Sequence, residues 1–247
     1  MCTLVILRRP GHRWPVIVAA NRDEMVDRPW QEPARHWPDR PELVAGRDAL
    51  AGGSWLGIND FGVVAGVLNR HGSLGPAPGQ RSRGELVLEA LDHADAQAAA
   101  TALAVLEPAS YRTFNLIVAD NTEAFWLRHA DPTGTLPITL APIPPGLSLI
   151  AAGDLDDRET PRLNRFRPLF AAAPPPDPDA GDWSAWERLL TEGDKPDSAM
   201  RFLTERGFGT VSSALIALPS VERAGSRPRF RFAAHQPIPS PWHDVPL

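Results

Sequence analysis

Two runs near the start of the chain, Thr3-Leu4-Val5-Ile6-Leu7 and Val16-Ile17-Val18-Ala19-Ala20, are apolar at every position and flank the breaker Pro10-Gly11. A strand with one wet face alternates polar and apolar residues; these do not, so the hairpin they predict must be covered on both faces. That sets the first residues of the chain inside a layered structure, where chain termini rarely lie. In a hairpin the beginning of one strand lies beside the end of the other, so Cys2 is expected next to residues 20–23.

The rest of the chain alternates strand and helix patterns. Residues 27–47, rich in Pro, Trp and Arg without a period, read as an ordered loop over a sheet edge. A second hairpin is expected over 54–58 and 62–68, turning at Asn59-Asp60. Ser82 with Glu85 makes a capping-box pattern ahead of Leu86, Leu88 and Leu91, and a second helical stretch runs over 95–106 until Pro108 stops it. Strand patterns follow at 114–118, 124–127, 138–140 and 147–150. Helices are expected at 161–170, 183–190 and, capped by Asp197, 198–206, with 171–176 a loop; 211–218 and 228–234 read as the last strands before a Pro-rich tail. Hairpins predominate, so the reading is α+β with mostly antiparallel sheets and helices outside them. A four-layer αββα sandwich and a three-layer arrangement both satisfy it, and 247 residues suit one large domain or two small ones.

Composition narrows the function. Acidic residues outnumber basic ones by 30 to 25, against the clustered positive charge that nucleic acid requires, so no nucleic-acid partner is expected. Hydrophobic residues at 43% supply a core. A single cysteine rules out an internal disulfide and a Cys-rich zinc cluster, and points to a reducing compartment. No stretch approaches the ~18–20 apolar residues of a membrane span, and the apolar start is too short for a signal peptide; a cytoplasmic chain is expected. The 27 prolines and the near absence of lysine, Lys195 alone, read mainly as genome composition. The histidines show no zinc-ligand spacing, and Asp154, Asp156 and Asp157 lack the glycine and closing glutamate of a calcium loop, so that stretch reads as a helix-capping loop and no metal is expected.

Cys2 is the most informative residue. A lone cysteine is ordinarily a small buried hydrophobe, but methionine followed by a small residue is a good substrate for methionine aminopeptidase. Its removal leaves an α-amino group and a thiol on one residue. With reference pKa values of about 7.7–8 and about 8.5, the amine can serve the thiol as base. Arg22 and Asp23, beside Cys2 in the hairpin, are expected to orient the thiol and its ammonium group, so that Asp23→Asn lowers thiol reactivity. Asn69, at the end of a strand, offers an amide to a developing oxyanion. The plainer alternatives are a strand leaving the core at 21–24 and a turn asparagine at 69.

Met1-Cys2-Thr3-Leu4, Ala20-Asn21-Arg22-Asp23-Glu24, Ala45-Gly46-Arg47-Asp48, 52–59 and Gly209-Thr210-Val211-Ser212-Ser213 together resemble the NRDE family, whose animal members are called transport and Golgi organisation proteins. Members look like N-terminal-nucleophile hydrolases, which implies the αββα sandwich and a single domain over 1–247. Gly57-Ile58-Asn59-Asp60-Phe61-Gly62 and Ala65-Gly66-Val67-Leu68-Asn69 are also similar to the choloylglycine hydrolase and penicillin V acylase group, which implies Cys2 as nucleophile, Asp23 as its partner and Asn69 as oxyanion donor. The chain departs from those patterns at Ala20 and Val211, where arginines are common, and at Ala151-Ala152, where Ser-Asn is. The expected activity is hydrolysis of a non-peptide amide or thioester of a small acylated metabolite, without a cofactor. Asn21, Trp30, Trp55 and Arg70 are expected to bind the substrate. The alternative is a haem- or acyl-carrier-binding protein on the same fold, walled by residues 28–47.

Overall fold

A computed structural model describes residues 2–193, 198–223 and 225–247. The expected hairpin forms from β1 (Thr3–Arg8) and β2 (Val16–Met25), with Thr3 opposite Asn21 and Arg8 opposite Val16. Both faces are buried: Val5, Ile17 and Ala19 point one way, Leu4, Ile6 and Val18 the other. β2 does not end at Ala20. It runs on through the polar tetrad because β11 (Phe208–Leu218) pairs along its whole length, from Phe208 opposite Met25 to Leu218 opposite Val16. The tetrad is therefore sheet, not a strand leaving the core.

Contacts divide the chain into two compact units. The first, Met1–Arg28 with Pro145–Pro246, holds a six-stranded antiparallel sheet ordered β10 (Gly146–Ile150), β1, β2, β11, β12 (Arg229–Ala234) and β13 (His243–Asp244). Helices α3 (Pro161–Ala172) and α4 (Ser184–Thr191) cover one face, setting Leu163, Phe166, Phe170, Trp186 and Leu190 against Val5, Ile17, Leu149 and Leu215. Each such side chain contributes roughly 1.5–3 kcal/mol by leaving water. Pro161 opens α3, where its missing N–H costs nothing. The second unit, Pro29–Pro144, holds a seven-stranded antiparallel sheet in sequence order: β3 (Trp30–Ala34), β4 (Leu43–Asp48), β5 (Leu56–Asn59), β6 (Val64–Asn69), β7 (Phe114–Ala119), β8 (Ala124–His129) and β9 (Thr139–Pro142). Helices α1 (Gly84–Leu91) and α2 (Ala96–Ala104) cover one face of it. The α+β reading with antiparallel sheets is borne out.

Five local expectations are corrected. Residues 27–47 are not a loop: they contain β3 and β4, paired Trp30 to Asp48, a ladder that supplies the order their composition hides. The capping box does not form; the Ser82 hydroxyl accepts from the Gly84 N–H at 3.2 Å, and Arg83 caps α1 without a side-chain bond. Residues 198–206 form no α-helix, because the Met200 and Arg201 N–H groups both donate to the Glu192 carbonyl and the Phe202 carbonyl accepts from Thr210. Its expected cap, Asp197, lies outside the described residues. α3 extends to Ala172, into the expected loop, and the tail contributes β13.

Candidate active site

Continuing the β1–β2 register by one step sets Cys2 across from Arg22, at the entrance of the hairpin. The thiol is seated on the backbone of Asp23: the Asp23 N–H donates to Sγ at 3.3 Å, and the thiol donates to the Asp23 carbonyl at 3.5 Å. Burial, and next the Asp23 charge, push the thiol pKa above its ordinary value, while Arg22 pulls it down. Arg22 is buried, shares the thiol's side of the strand by alternation and approaches Glu24 at 3.9 Å.

The Asp23 carboxylate points to the opposite, helix-covered side. It accepts from Arg162 Nη1 at 2.9 Å and from the Thr210 hydroxyl at 2.8 Å, and its side chain is 0% exposed. Arg162 Nη1 also donates to Thr3 Oγ1 at 2.9 Å. The register shift between Thr210 and Ser212 makes Val211 a bulge, and this turns Thr210, instead of Val211, towards Asp23. Sequence reading paired the Asp23 carboxylate with the thiol; in the structure the backbone of Asp23 meets the thiol and the carboxylate meets Arg162. Arg162 went unrecognised because no local pattern marks it, whereas Thr3 and Thr210 lie in blocks that the family resemblance singled out.

Asn21, expected at the substrate, is committed within the protein. Its Nδ2 donates to the carbonyls of Leu190 at 2.8 Å and Met200 at 2.9 Å, and its Oδ1 accepts from the Ser213 hydroxyl at 2.6 Å. Both Nδ2 partners are carbonyls, which fixes the amide orientation. Because Oδ1 can only accept, Ser213 spends its proton there, and the 2.7 Å contact with His235 Nε2 requires that nitrogen to carry the hydrogen. Burial, then the charge of Arg201, lowers the His235 pKa to about 4.

The remaining expected site residues lie in the second unit. Asn69 closes β6 opposite Phe114, and among the described residues no group hydrogen-bonds its side-chain amide. Arg70 Nη1 donates to Asn115 Oδ1 at 2.7 Å, which also accepts from Trp126 Nε1 at 3.1 Å. Trp30 and Trp55 meet edge to face, their ring centroids 5.8 Å apart. The Trp55 ring lies over Gly46, where a Cβ would come within 2.3 Å of it. Among the described residues no group of three His, Cys, Asp or Glu side chains is arranged to hold a metal ion, and no helix is long and apolar enough to cross a membrane.

Solved structures of hydrolases share this architecture. A penicillin V acylase from Agrobacterium tumefaciens superposes with a TM-score of 0.55 at 15% identity, over 99% of this chain and 86% of the other. The C2A mutant of conjugated bile acid hydrolase from Clostridium perfringens gives 0.54 at 11% identity over 99% and 92%, and a Caenorhabditis elegans orthologue of N-acylethanolamine-hydrolyzing acid amidase gives 0.54 at 12% over 87% and 92%. The fold is that of the N-terminal-nucleophile hydrolases, as the sequence blocks implied. Within that class, the profile described as Transport and Golgi organisation 2 matches residues 1–173, and the chain belongs to this family. The mouse Transport and Golgi organization 2 homolog is 33% identical over 142 residues, 54% of this chain and 50% of that protein. The human homolog is 34% identical over 144 residues, with the same shares. The chain thus spans about half the length of the curated relatives it matches.

Proposed function

We propose that Cys2 is the nucleophile of a hydrolase cleaving a non-peptide amide or thioester of a small acylated metabolite. The observation that carries this reading is the seat of the thiol on the Asp23 backbone, at the start of a strand set between β10 and β2. Strand direction carries the Cys2 nitrogen towards residue 23, so removal of Met1 frees an α-amine there. That amine takes the thiol proton, and the sulfur adds to the acyl carbon. The resulting oxyanion is assigned to a backbone N–H. Collapse expels the amine or thiol leaving group, which receives the proton held by the ammonium. Water, deprotonated by the same α-amine, then adds to acyl-Cys2, releasing the carboxylic acid and restoring the thiol. The names of the three similar structures, an acylase, an acid amidase and a conjugated bile acid hydrolase, support an acyl-transfer reading.

Intact mass of the mature chain, followed by a screen of acyl amides and thioesters with wild type and Cys2→Ala, tests the proposal. Loss of Met1, an acyl adduct on Cys2 and no turnover by Cys2→Ala are expected. Retained Met1, or equal turnover by the variant, overturns it. The second reading, a carrier of haem or an acyl group, draws support from the Trp30–Trp55 pair, since tryptophans supply broad apolar contact. A Soret shift on haemin titration together with no acyl adduct favours that reading.

A further inference from the structure

We propose that Arg162 is a positioning residue for Cys2: from the first turn of α3 its guanidinium holds the Asp23 carboxylate on the helix-covered side of the sheet and offsets that negative charge at the thiol. The inference rests on Cys2 as the working nucleophile, and it is read on the thiol itself, not on turnover.

One guanidinium nitrogen grips both sides of Cys2. Arg162 Nη1 donates at 2.9 Å to Thr3, the residue after Cys2, and at 2.9 Å to Asp23, the residue whose backbone seats the sulfur. The guanidinium is nearly buried, 12% exposed, and its charge lies 5.1 Å from the centre of the Phe202 ring. Its reach is set by how α3 begins. Pro161 opens the helix, and Thr160 before it donates its hydroxyl to Asp157 Oδ2 at 2.7 Å. That Asp157 oxygen occupies the place where a Cβ on residue 153 would lie, at 2.3 Å, so only glycine at 153 leaves the clasp room. Gly153 thus leaves room for the Asp157–Thr160 bond at the start of α3, two residues before Arg162, which holds Asp23.

Among the described residues of the first unit, the charged groups at this end of the hairpin include Asp23 and Arg22 on β2, Glu24 paired to Arg22 and Arg162 from α3, and processing adds the α-amino group. β11 faces this end of β2 with Thr210 and Ser212, which carry no charge. Asp23 raises the thiol pKa, so a cation on its carboxylate works the other way, and removing that cation leaves the field of Asp23 unopposed. The same geometry reverses the sign expected from sequence for Asp23→Asn: deleting the negative charge lowers the thiol pKa instead of quenching the thiol.

Cys2 is the only cysteine, so alkylation by iodoacetamide followed by intact mass reports it alone. The measurement is the alkylation rate against pH in wild type, Arg162→Met, Arg162→Lys, Asp23→Asn and the Arg162→Met/Asp23→Asn double variant. Arg162→Met is expected to move the midpoint up by about one pH unit, a roughly tenfold slower reaction near neutrality. Arg162→Lys should recover part of that shift, Asp23→Asn should move the midpoint down, and the double variant should return near wild type. Gly153→Ala should shift it upward by less than Arg162→Met. A purely structural Arg162 would give no such opposition of signs. Identical profiles, or shifts in the same direction for Arg162→Met and Asp23→Asn, overturn the proposal; if Arg162→Met does not fold, an unmoved or raised midpoint in Asp23→Asn does so. A chain that keeps Met1 or forms no acyl adduct fails as a hydrolase yet still shows these opposed shifts, so the two failures are told apart.

Discussion

Beneath α1 and α2 the seven-stranded sheet presents Leu43, Val63, Ala65, Phe114, Leu116, Val118 and Leu127 with the buried Asn59 amide, whose Nδ2 donates to the Leu91 and His93 carbonyls, while two buried polar side-chain atoms, Tyr111 Oη and His129 Nδ1, have no partner among the described residues. Beneath α3 and α4 the six-stranded sheet sets Thr3, Asn21, Asp23, Thr210 and Ser213 beside its apolar Val5, Ile17 and Leu215, and these polar groups are joined in continuous chains of hydrogen bonds. One helix-covered face is a core with two orphan atoms. The other also leaves Trp186 Nε1 without a partner among the described residues, but it has a wired polar end, and that end is where Cys2 is held. A buried polar group without a partner is only a cost, whereas a satisfied network fixes the positions of its members. In this chain the network fixes the strand end carrying the candidate nucleophile.

The sharpest way to break the comparison is to damage the dry face and watch the wired one. Phe114→Ala removes a fully buried ring from the second unit and should cost about 3–5 kcal/mol in chemical denaturation. The alkylation profile of Cys2 in the folded chain should not move; if it does, the two faces are not independent.

Acid should act on the wired face next most strongly. The unfolded chain binds the His235 proton near its ordinary pKa of 6.5, the folded chain only near 4. Between those values the unfolded state holds more proton, so the contribution of His235 is complete above about pH 6.5 and declines as pH falls towards 4, by about 3 kcal/mol in all. His235→Gln should remove this slope from the difference between stability curves taken at pH 7 and pH 4.5, and an unchanged slope would exclude His235 as its source.

Ser213→Ala should cost about 1–3 kcal/mol, because it strands Asn21 Oδ1 and the His235 Nε2 hydrogen in a buried place. The matching deletion on the dry face should have the smallest effect. The Tyr111 hydroxyl is buried without a partner among the described residues, and burial pushes its pKa up to about 12, so Tyr111→Phe is expected to leave stability within about 1 kcal/mol of wild type or slightly raise it. Equal losses from Ser213→Ala and Tyr111→Phe, measured by urea denaturation, would erase the distinction between the faces.

Much of the frame was legible residue by residue. Doubly apolar runs in 3–7 and 16–20 announced a buried hairpin, and β1 and β2 form it with Cys2 at its mouth. The helical stretch expected over 95–106 became α2, with Asp95, read as its first residue, serving as the cap whose carboxylate accepts from Ala98. Reading failed where a segment borrows its order from distant partners: β3 and β4 lie in a stretch whose composition suggests a loop, and 198–206 gives its N–H groups to Glu192 instead of to its own carbonyls. The site divided along the same line. Cys2, Arg22 and Asp23 came together because a hairpin is a local object, and Asn69 could be named from its block.

What the sequence determined by itself is which groups are present and on which short elements: a thiol at residue 2, an acid and a base on the strand beside it, strands that must be covered on both faces. Periodicity and hairpin geometry act over a few residues, and that is as far as they reach. Only the tertiary structure decided that the Asp23 backbone meets the thiol while its carboxylate meets Arg162, that a bulge at Val211 delivers Thr210 to the same carboxylate, and that Asn21 is spent on Leu190, Met200 and Ser213. The physical reason is that strand alternation divides backbone from side chain across a sheet. The backbone of Asp23 meets its hairpin neighbour Cys2, but the side chains on the helix-covered face find partners on elements well over a hundred residues away, and no local pattern in the chain marks those.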